Sequence, residues 1–377
     1  MSIEVPVAAA SRLSRGVVAM LLDNHYGPDP RVAFELELLN EAGLAARVIA
    51  WDRRSEEDAR PSDDPRIIRV HVPAPSGGGR RSLVAALRFG RRVWRARKRW
   101  VGDASLLIVH DVYLLPLGWA VARRLGIPFI YDAHEEFALM EARRYPERLL
   151  RLVTSLESRL ARDAQAVIVP GTSRVARWHG AVARPPIVLP NLVGRDRPES
   201  GQRRIRWDLL HLGTISEGRR PDILVNVARL RPDLRVAVAG RGRSVDYIAK
   251  AADELLNLEY LGWRTDVEEL LPQARALYYG LDPGHPYSDV ACPNTLYQAL
   301  LHRKPLIFFC GGEPARLATS FKIGVRCQAS APAVSVALDA VFATASWEFD
   351  EAWAAVWEHA DVEAFVETVA SSSRKSP

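Results

Sequence analysis

The chain has 377 residues, 48% hydrophobic and 25% charged, and at roughly 100 to 200 residues per domain it can bury two cores. Its net charge of +6 suits an anionic partner, either a nucleotide diphosphate, an acidic lipid surface or nucleic acid, without choosing among them. Its three cysteines, Cys292, Cys310 and Cys327, lack CxxC or Cys/His ligand spacing, which argues against a disulfide framework or a zinc site and fits a reducing cytosol.

The first fifteen or so residues are expected to be a loose lead-in, and the apolar run Val17 to Leu22 is too short for a membrane span or a secretory core. Short apolar runs then alternate with helical patterns, the signature of parallel sheets covered by helices. The first half predicts strands at Val17 to Leu22, Arg47 to Trp51, Ile67 to Val72, Leu106 to Val109, Pro128 to Tyr131 and Ala166 to Pro170. The turn after the first strand lacks the G-x-G-x-x-G of a dinucleotide site. A helix follows Pro30, with Val32, Leu36, Leu39 and Ala42 on one face, so its first amides and Arg31 can meet an anionic acceptor group. The alternative for Arg31 is a surface arginine beside a proline turn.

Leu83 to Val101 predicts an amphipathic helix. Phe89, Val93, Ala96 and Trp100 form its apolar stripe, opposite Arg88, Arg91, Arg92, Arg95, Lys98 and Arg99. The stripe either touches an anionic membrane or packs on the sheet beneath a solvated cationic face. His110-Asp111 and His134 follow two strands, at the carboxyl ends where open α/β sheets place ligands. His134 is flanked by Asp132, Glu135 and Glu136, and a neutral imidazole there can donate one hydrogen bond and accept another. Asp63-Asp64 reads as solvated surface.

The polar stretch Asn191 to Arg206 is the best linker, giving domains at 1–192 and 207–345 around a linker at 193–206, with helical residues 346–377 closing the chain. The second half predicts strands at Asp208 to Leu212, Arg235 to Ala239, Leu258 to Leu261, Ala276 to Tyr279 and Pro305 to Phe309. After the first of these come Gly213, Thr214 and then Arg219-Arg220 before a helix starting near Pro221, an arrangement of amides and guanidinium suited to a diphosphate. Gly240-Arg241-Gly242 and Gly262-Trp263 end the next two strands, where glycine is also ordinary turn chemistry.

Pro293, Asn294, Ala299, Lys304, Pro305 and Ile307 fall on a pattern that resembles the nucleotide-sugar signature of family 4 glycosyltransferases. Thr295, Gln298 and Arg303 stand where that pattern has lysine, the second glutamate and glycine, and Thr214 stands where many members carry an arginine. The Asp29-Pro30-Arg31-Val32 run also resembles the family's first loop. The resemblance implies a GT-B fold, two Rossmann-like parallel-sheet domains facing a cleft, with the C-terminal helices crossing back to the first domain.

It implies a retaining transfer of sugar from a nucleotide-diphosphate sugar, UDP-sugar favoured, to an acceptor hydroxyl, with no metal and no cofactor beyond the donor. The implied donor contacts are Gly213, Thr214, Arg219, Arg220, Gly240, Gly242, Gly262, Trp263, Asn294, Thr295 and Gln298. Arg31, His110 and Asp111 are the implied acceptor contacts, and His134 and Arg220 act in transfer. The acceptor class includes lipid-linked hydroxyls, which would place the protein in the cytoplasm at the inner membrane face, and no nucleic-acid partner is expected. Two alternatives remain open: a nucleotide-sugar epimerase of the same build, and a non-catalytic activator, suggested by the departures at Thr295 and Gln298.

Overall fold

Strands buried on both faces need helices on both sides, and their parallel pairing needs a crossover between each pair. The computed structural model describes residues 16–27, 29–55, 62–74, 80–192 and 204–373. The chain forms two compact units, one from residues up to Pro190 together with Ala360 onward, the other from Asn191 to His359. The predicted lead-in and most of the predicted linker, residues 193–203, lie outside the described residues.

In the first unit the elements are β1 (Val17–Leu22), α1 (Pro30–Glu41), β2 (Ala46–Asp52), β3 (Ile67–His71), α2 (Arg80–Trp100), β4 (Ala104–His110), α3 (Leu115–Leu125), β5 (Phe129–Asp132), α4 (Phe137–Met140), α5 (Glu147–Ala161), β6 (Val167–Val169) and β7 (Ile187–Val188). Among the described residues these strands make one parallel sheet in the order β3-β2-β1-β4-β5-β6-β7. The order reverses between β1 and β4, and their carboxyl ends open the crevice in which such sheets bind ligands.

Helix α1 starts where the sequence requires: Asp29 caps it by accepting from the Val32 amide at 3.2 Å, and Pro30 fits a first turn that needs no amide proton. Helices α2, α3 and α5 share one core with the sheet, built on Phe89, Val93, Val121, Leu160 and Trp178. Phe89 stacks on Trp51 at 4.9 Å between ring centroids. The stripe Phe89, Val93, Ala96 and Trp100 is therefore packed on the sheet, not presented to a membrane: Phe89 and Val93 are buried, and Trp100 packs against the same core.

The second unit runs β8 (Trp207–Thr214), α6 (Pro221–Leu230), β9 (Val236–Arg241), α7 (Val245–Glu254), β10 (Leu258–Gly262), α8 (Val267–Leu270), β11 (Ala274–Tyr279), α9 (Asn294–Leu301), β12 (Leu306–Phe308), α10 (Gly312–Ser320), β13 (Gly324–Arg326), α11 (Ala331–Ala343) and α12 (Phe349–Glu358). Its parallel sheet has the order β10-β9-β8-β11-β12-β13 among the described residues, with the reversal between β8 and β11. Strands β7 and β13, of two and three residues, were not anticipated, being too short to show a periodic pattern.

Both terminal helices were expected to return to the first domain. Helix α12 instead packs against α9 and stays in the second unit. The helix that belongs to the first unit is α13 (Val362–Ser373), which packs on β4 and α1 and buries Phe365 and Val369. Asp361 anchors it, its amide donating to the Val188 carbonyl and its carboxylate accepting from the Val188 amide, both at 2.8 Å. Among the described residues no helix is long and apolar enough to cross a membrane.

Candidate active site

At the carboxyl ends of β1, β4 and β5 the first unit gathers Arg31, Glu35, His110, Asp111, Asp132 and His134. Asp132, the last residue of β5, is its centre. Its Oδ2 accepts from Arg31 Nε at 2.7 Å, its Oδ1 accepts from Arg31 Nη2, and Oδ2 also lies 2.7 Å from His134 Nε2 and 3.1 Å from His110 Nδ1. Arg31 is completed by Nη1 donating to the Leu189 carbonyl at 2.6 Å. Burial would raise the Asp132 pKa, but Arg31 first, then His134 and His110, hold it well below the usual carboxylate range.

Arg31 and His110, both expected at an acceptor, are instead buried inside this cluster. A guanidinium taken out of water must keep a carboxylate, so Arg31 orders the base of the site and has no surface to offer a ligand. His110 spans the space between Asp132 and Glu35, its Nε2 lying 3.8 Å from Glu35 Oε2, and burial pushes its pKa down. Glu35 is fully buried, 3.6 Å from Arg31 and beyond hydrogen-bond length of any partner; burial, then the nearby Asp132, push its carboxyl pKa well above its usual range.

His134 remains partly open, with 16% of its side chain exposed, and both its ring nitrogens face carboxylates: Nε2 meets Asp132, and Nδ1 lies 3.6 Å from Asp111 Oδ2. Burial alone would lower its pKa, but Asp132 and then Asp111 raise it to about 10. The expected neutral imidazole is thus an imidazolium, a donor at both nitrogens. Arg174, itself buried, fixes the loop by donating to the His134 carbonyl and pairing with Glu135 at 3.1 Å. Asp111 adopts the left-handed region at φ 66°, and burial, opposed by His134 and helped by Asp23 and Glu135, pushes its carboxyl up to about 8.

His110, Asp132 and His134 present donor atoms within 4.8 Å of one another, the spacing of a metal cluster. The donor set does not fit one, because both Asp132 oxygens already hold Arg31 and a divalent ion would lie against a buried guanidinium. Asp132, Glu35 and Arg174 were not selected from the sequence. For Glu35 a signal existed: Arg31, Glu35 and Leu38 lie at i, i+4 and i+7 on one helix face, which is buried.

In the second unit the turns after β8 and β9 interlock without side chains. A Cβ on Gly240 would stand 1.8 Å from the Gly213 carbonyl oxygen, and one on Gly242 would stand 2.1 Å from that of Ile215. Gly213, at φ 114°, has open space beside it, and Thr214 is exposed. Arg220 takes φ 51° as the residue before α6, and its guanidinium is held by Asp222 through bonds of 2.9 and 2.8 Å. Arg219 lies over the Tyr279 ring at 4.8 Å and donates to its hydroxyl.

Trp263 follows β10 and is half exposed, with Arg241 stacked over it at 4.3 Å. At the start of α9 Asn294 is exposed, Thr295 is buried and Gln298 is intermediate; no side chain caps this helix. Gly213, Thr214, Arg219, Arg220, Gly240, Gly242, Gly262 and Trp263 therefore gather at the carboxyl ends of β8, β9 and β10 and the turns after them, with Asn294 and Gln298 on α9, which follows β11. Arg31, His110, Asp111 and His134 belong to the first unit's cluster.

Two doubly wound parallel-sheet units form the GT-B architecture found in glycosyltransferases, and this chain has that fold. Residues 27–192 match the glycosyl transferase 4-like domain. Among solved structures the chain is similar to HepE from Anabaena in complex with UDP and glucose, at 13% identity and a TM-score of 0.64, over 94% of this chain and 98% of that one. It is similar to sucrose-phosphate synthase from Thermosynechococcus elongatus, at 13% identity and a TM-score of 0.64, over 94% of each. A Staphylococcus aureus TarM variant in complex with fondaparinux, α-GlcNAc-glycerol and UDP aligns at 11% identity and a TM-score of 0.64, over 96% and 100%. No curated protein matches by sequence.

Proposed function

We propose that this protein is a glycosyltransferase that moves a sugar from a UDP-sugar to an acceptor hydroxyl. The observation that carries the reading is the second unit's turn set after β8 and β9, where Gly213 has open space beside it and Gly242 is exposed, with Arg219 and Arg220 on the segment that leads from β8 into α6. Such turns bind a diphosphate through amides and guanidinium. HepE and TarM, similar in fold, are both seen with UDP. Arg220 reaches the diphosphate by exchanging its bond to Asp222 for one to phosphate, and the exposed Trp263 offers a face to the base.

Departure of UDP leaves negative charge on the β-phosphate and electron deficiency at the anomeric carbon; the guanidinium stabilises the first as it develops. The imidazolium of His134 donates to a hydroxyl of the transferred sugar and orients it, with Asp111 beside it as a carboxyl that accepts from the acceptor. Asp132 and Arg31 are positioning residues that hold His134 in place. Retention of anomeric configuration is the stereochemistry we propose, with attack and departure on one face of the sugar. The acceptor we favour is a lipid-linked hydroxyl, reached from a membrane surface.

Isothermal titration with UDP and with uridine tests the donor site. UDP should bind more tightly than uridine, and Arg220→Ala should weaken UDP alone, by about 1.5 to 3 kcal/mol for a charge-assisted contact. Equal loss for both ligands would place Arg220 away from the phosphates. Incubation with UDP-sugar and no acceptor separates transferase from epimerase: slow hydrolysis supports transfer, whereas an epimerised donor would overturn it.

A further inference from the structure

With Phe89 and Val93 turned into the core, the outer face of α2 carries a second apolar line. Leu83 and Leu87 are 62% and 66% exposed and Trp94 is 37% exposed. At 100° per residue these positions, i, i+4 and i+11, fall within about 40° of arc. Helix α5 repeats the arrangement: Leu149, Leu152 and Leu156, at i, i+3 and i+7, are 44%, 66% and 46% exposed. Helix α3 packs against both α2 and α5, and all three cover the same core, so the two leucine lines lie on one helical layer of the first unit.

The charge of this layer is one-sided. Neither α2 nor α3 contains an acidic residue. Beside the leucines of α2 stand Arg88, Arg91, Arg95 and Lys98, which have no carboxylate partner among the described residues. On α5 Arg148 and Arg159 flank the leucine line, and Glu147, the exposed acid of that helix, pairs with Arg151 at 3.5 Å.

We infer that the α2–α3–α5 layer is a membrane-docking face, which seats on a bilayer rich in anionic lipid with the six apolar side chains entering the acyl boundary and the arginines at the headgroups. Exposed leucines interleaved with unmatched cations fit this occupant in both respects. Nucleic acid offers phosphates and no apolar phase for the leucines, and a second copy of the chain would set the same cations against each other. The face lies on helices, away from the strand ends that carry the candidate site residues, so it adds a surface to the proposed transferase without altering its chemistry.

Flotation of the full chain with vesicles tests it. The protein should float with vesicles of mixed phosphatidylglycerol and phosphatidylcholine and stay down with phosphatidylcholine alone. The pairs Leu83→Ser with Leu87→Ser, and Leu152→Ser with Leu156→Ser, should each lower binding by about tenfold or more. All four positions are solvent-facing, so melting temperature and UDP-sugar hydrolysis in solution should be unchanged, which separates failure here from failure of the transferase reading. Equal flotation with both vesicles, serine variants that bind like the parent, or complete displacement by single-stranded RNA would each overturn the membrane face.

Discussion

Asp132 concentrates the constraints of the first unit in one carboxylate, joined to Arg31 across 101 positions of sequence. Asp132→Asn keeps the shape and removes the carboxylate charge that faces the buried Arg31 guanidinium. The expected cost is about 3 to 5 kcal/mol, read from urea melts; a loss under about 1 kcal/mol would mean that the guanidinium finds water. The same cluster fixes a pH dependence. Asp132 has a depressed pKa, so its stabilisation is present above the ordinary carboxylate range and lost as pH falls through it. Asp111, raised to about 8, favours the protonated folded state, so stability falls as pH climbs from the ordinary carboxylate range to that value. His134, raised to about 10, stabilises fully below the ordinary histidine range and loses this as pH rises to about 10. Arg31, Glu35, His110, Asp23 and Glu135 complete the surrounding charges. Melting temperature should therefore decline between about pH 6 and about pH 9, and Asp111→Asn should flatten the part below about pH 8. A flat parent curve would show Asp111 ionised at neutrality.

At the scale of elements, α9 explains one departure from the sequence pattern. Arg303, at the position where the resembled signature has glycine, has φ 52° just past the end of the helix, where the chain turns toward β12. The backbone has kept the left-handed turn and the side chain bears its strain, offset in part by a 3.1 Å bond to Asp350. Arg303→Gly should raise stability by about 0.5 to 1 kcal/mol in a thermal melt; a decrease would mean that the Asp350 pair outweighs the strain. Strand existence was legible because apolar runs such as Leu106 to Val109 are buried on both faces, and the cap of α1 was legible in Asp29 and Pro30. The fate of the α2 stripe was not, since a helix pattern gives an apolar face without saying what covers it. Nor were the roles of Arg31 and His110, which depend on a carboxylate far along the chain and visible only once β1, β4 and β5 are neighbours.

At the scale of the molecule, the second unit is inserted between β7 and α13 of the first. Deleting residues from Ala360 onward would strip Phe365 and Val369 from β4 and α1 and unpair the Val188 backbone from Asp361. Single buried aromatic losses already cost about 3 to 5 kcal/mol, so the truncated chain should show early proteolytic cleavage in the first unit while the second resists. Equal resistance in both would show that α13 is dispensable. Because α13 follows the second unit in the chain, synthesis completes the second unit before the first has its last helix. A chain that stops before Ala360 would hold a complete second unit and an unfinished, protease-sensitive first one, so α13 marks the point in synthesis at which the first unit closes.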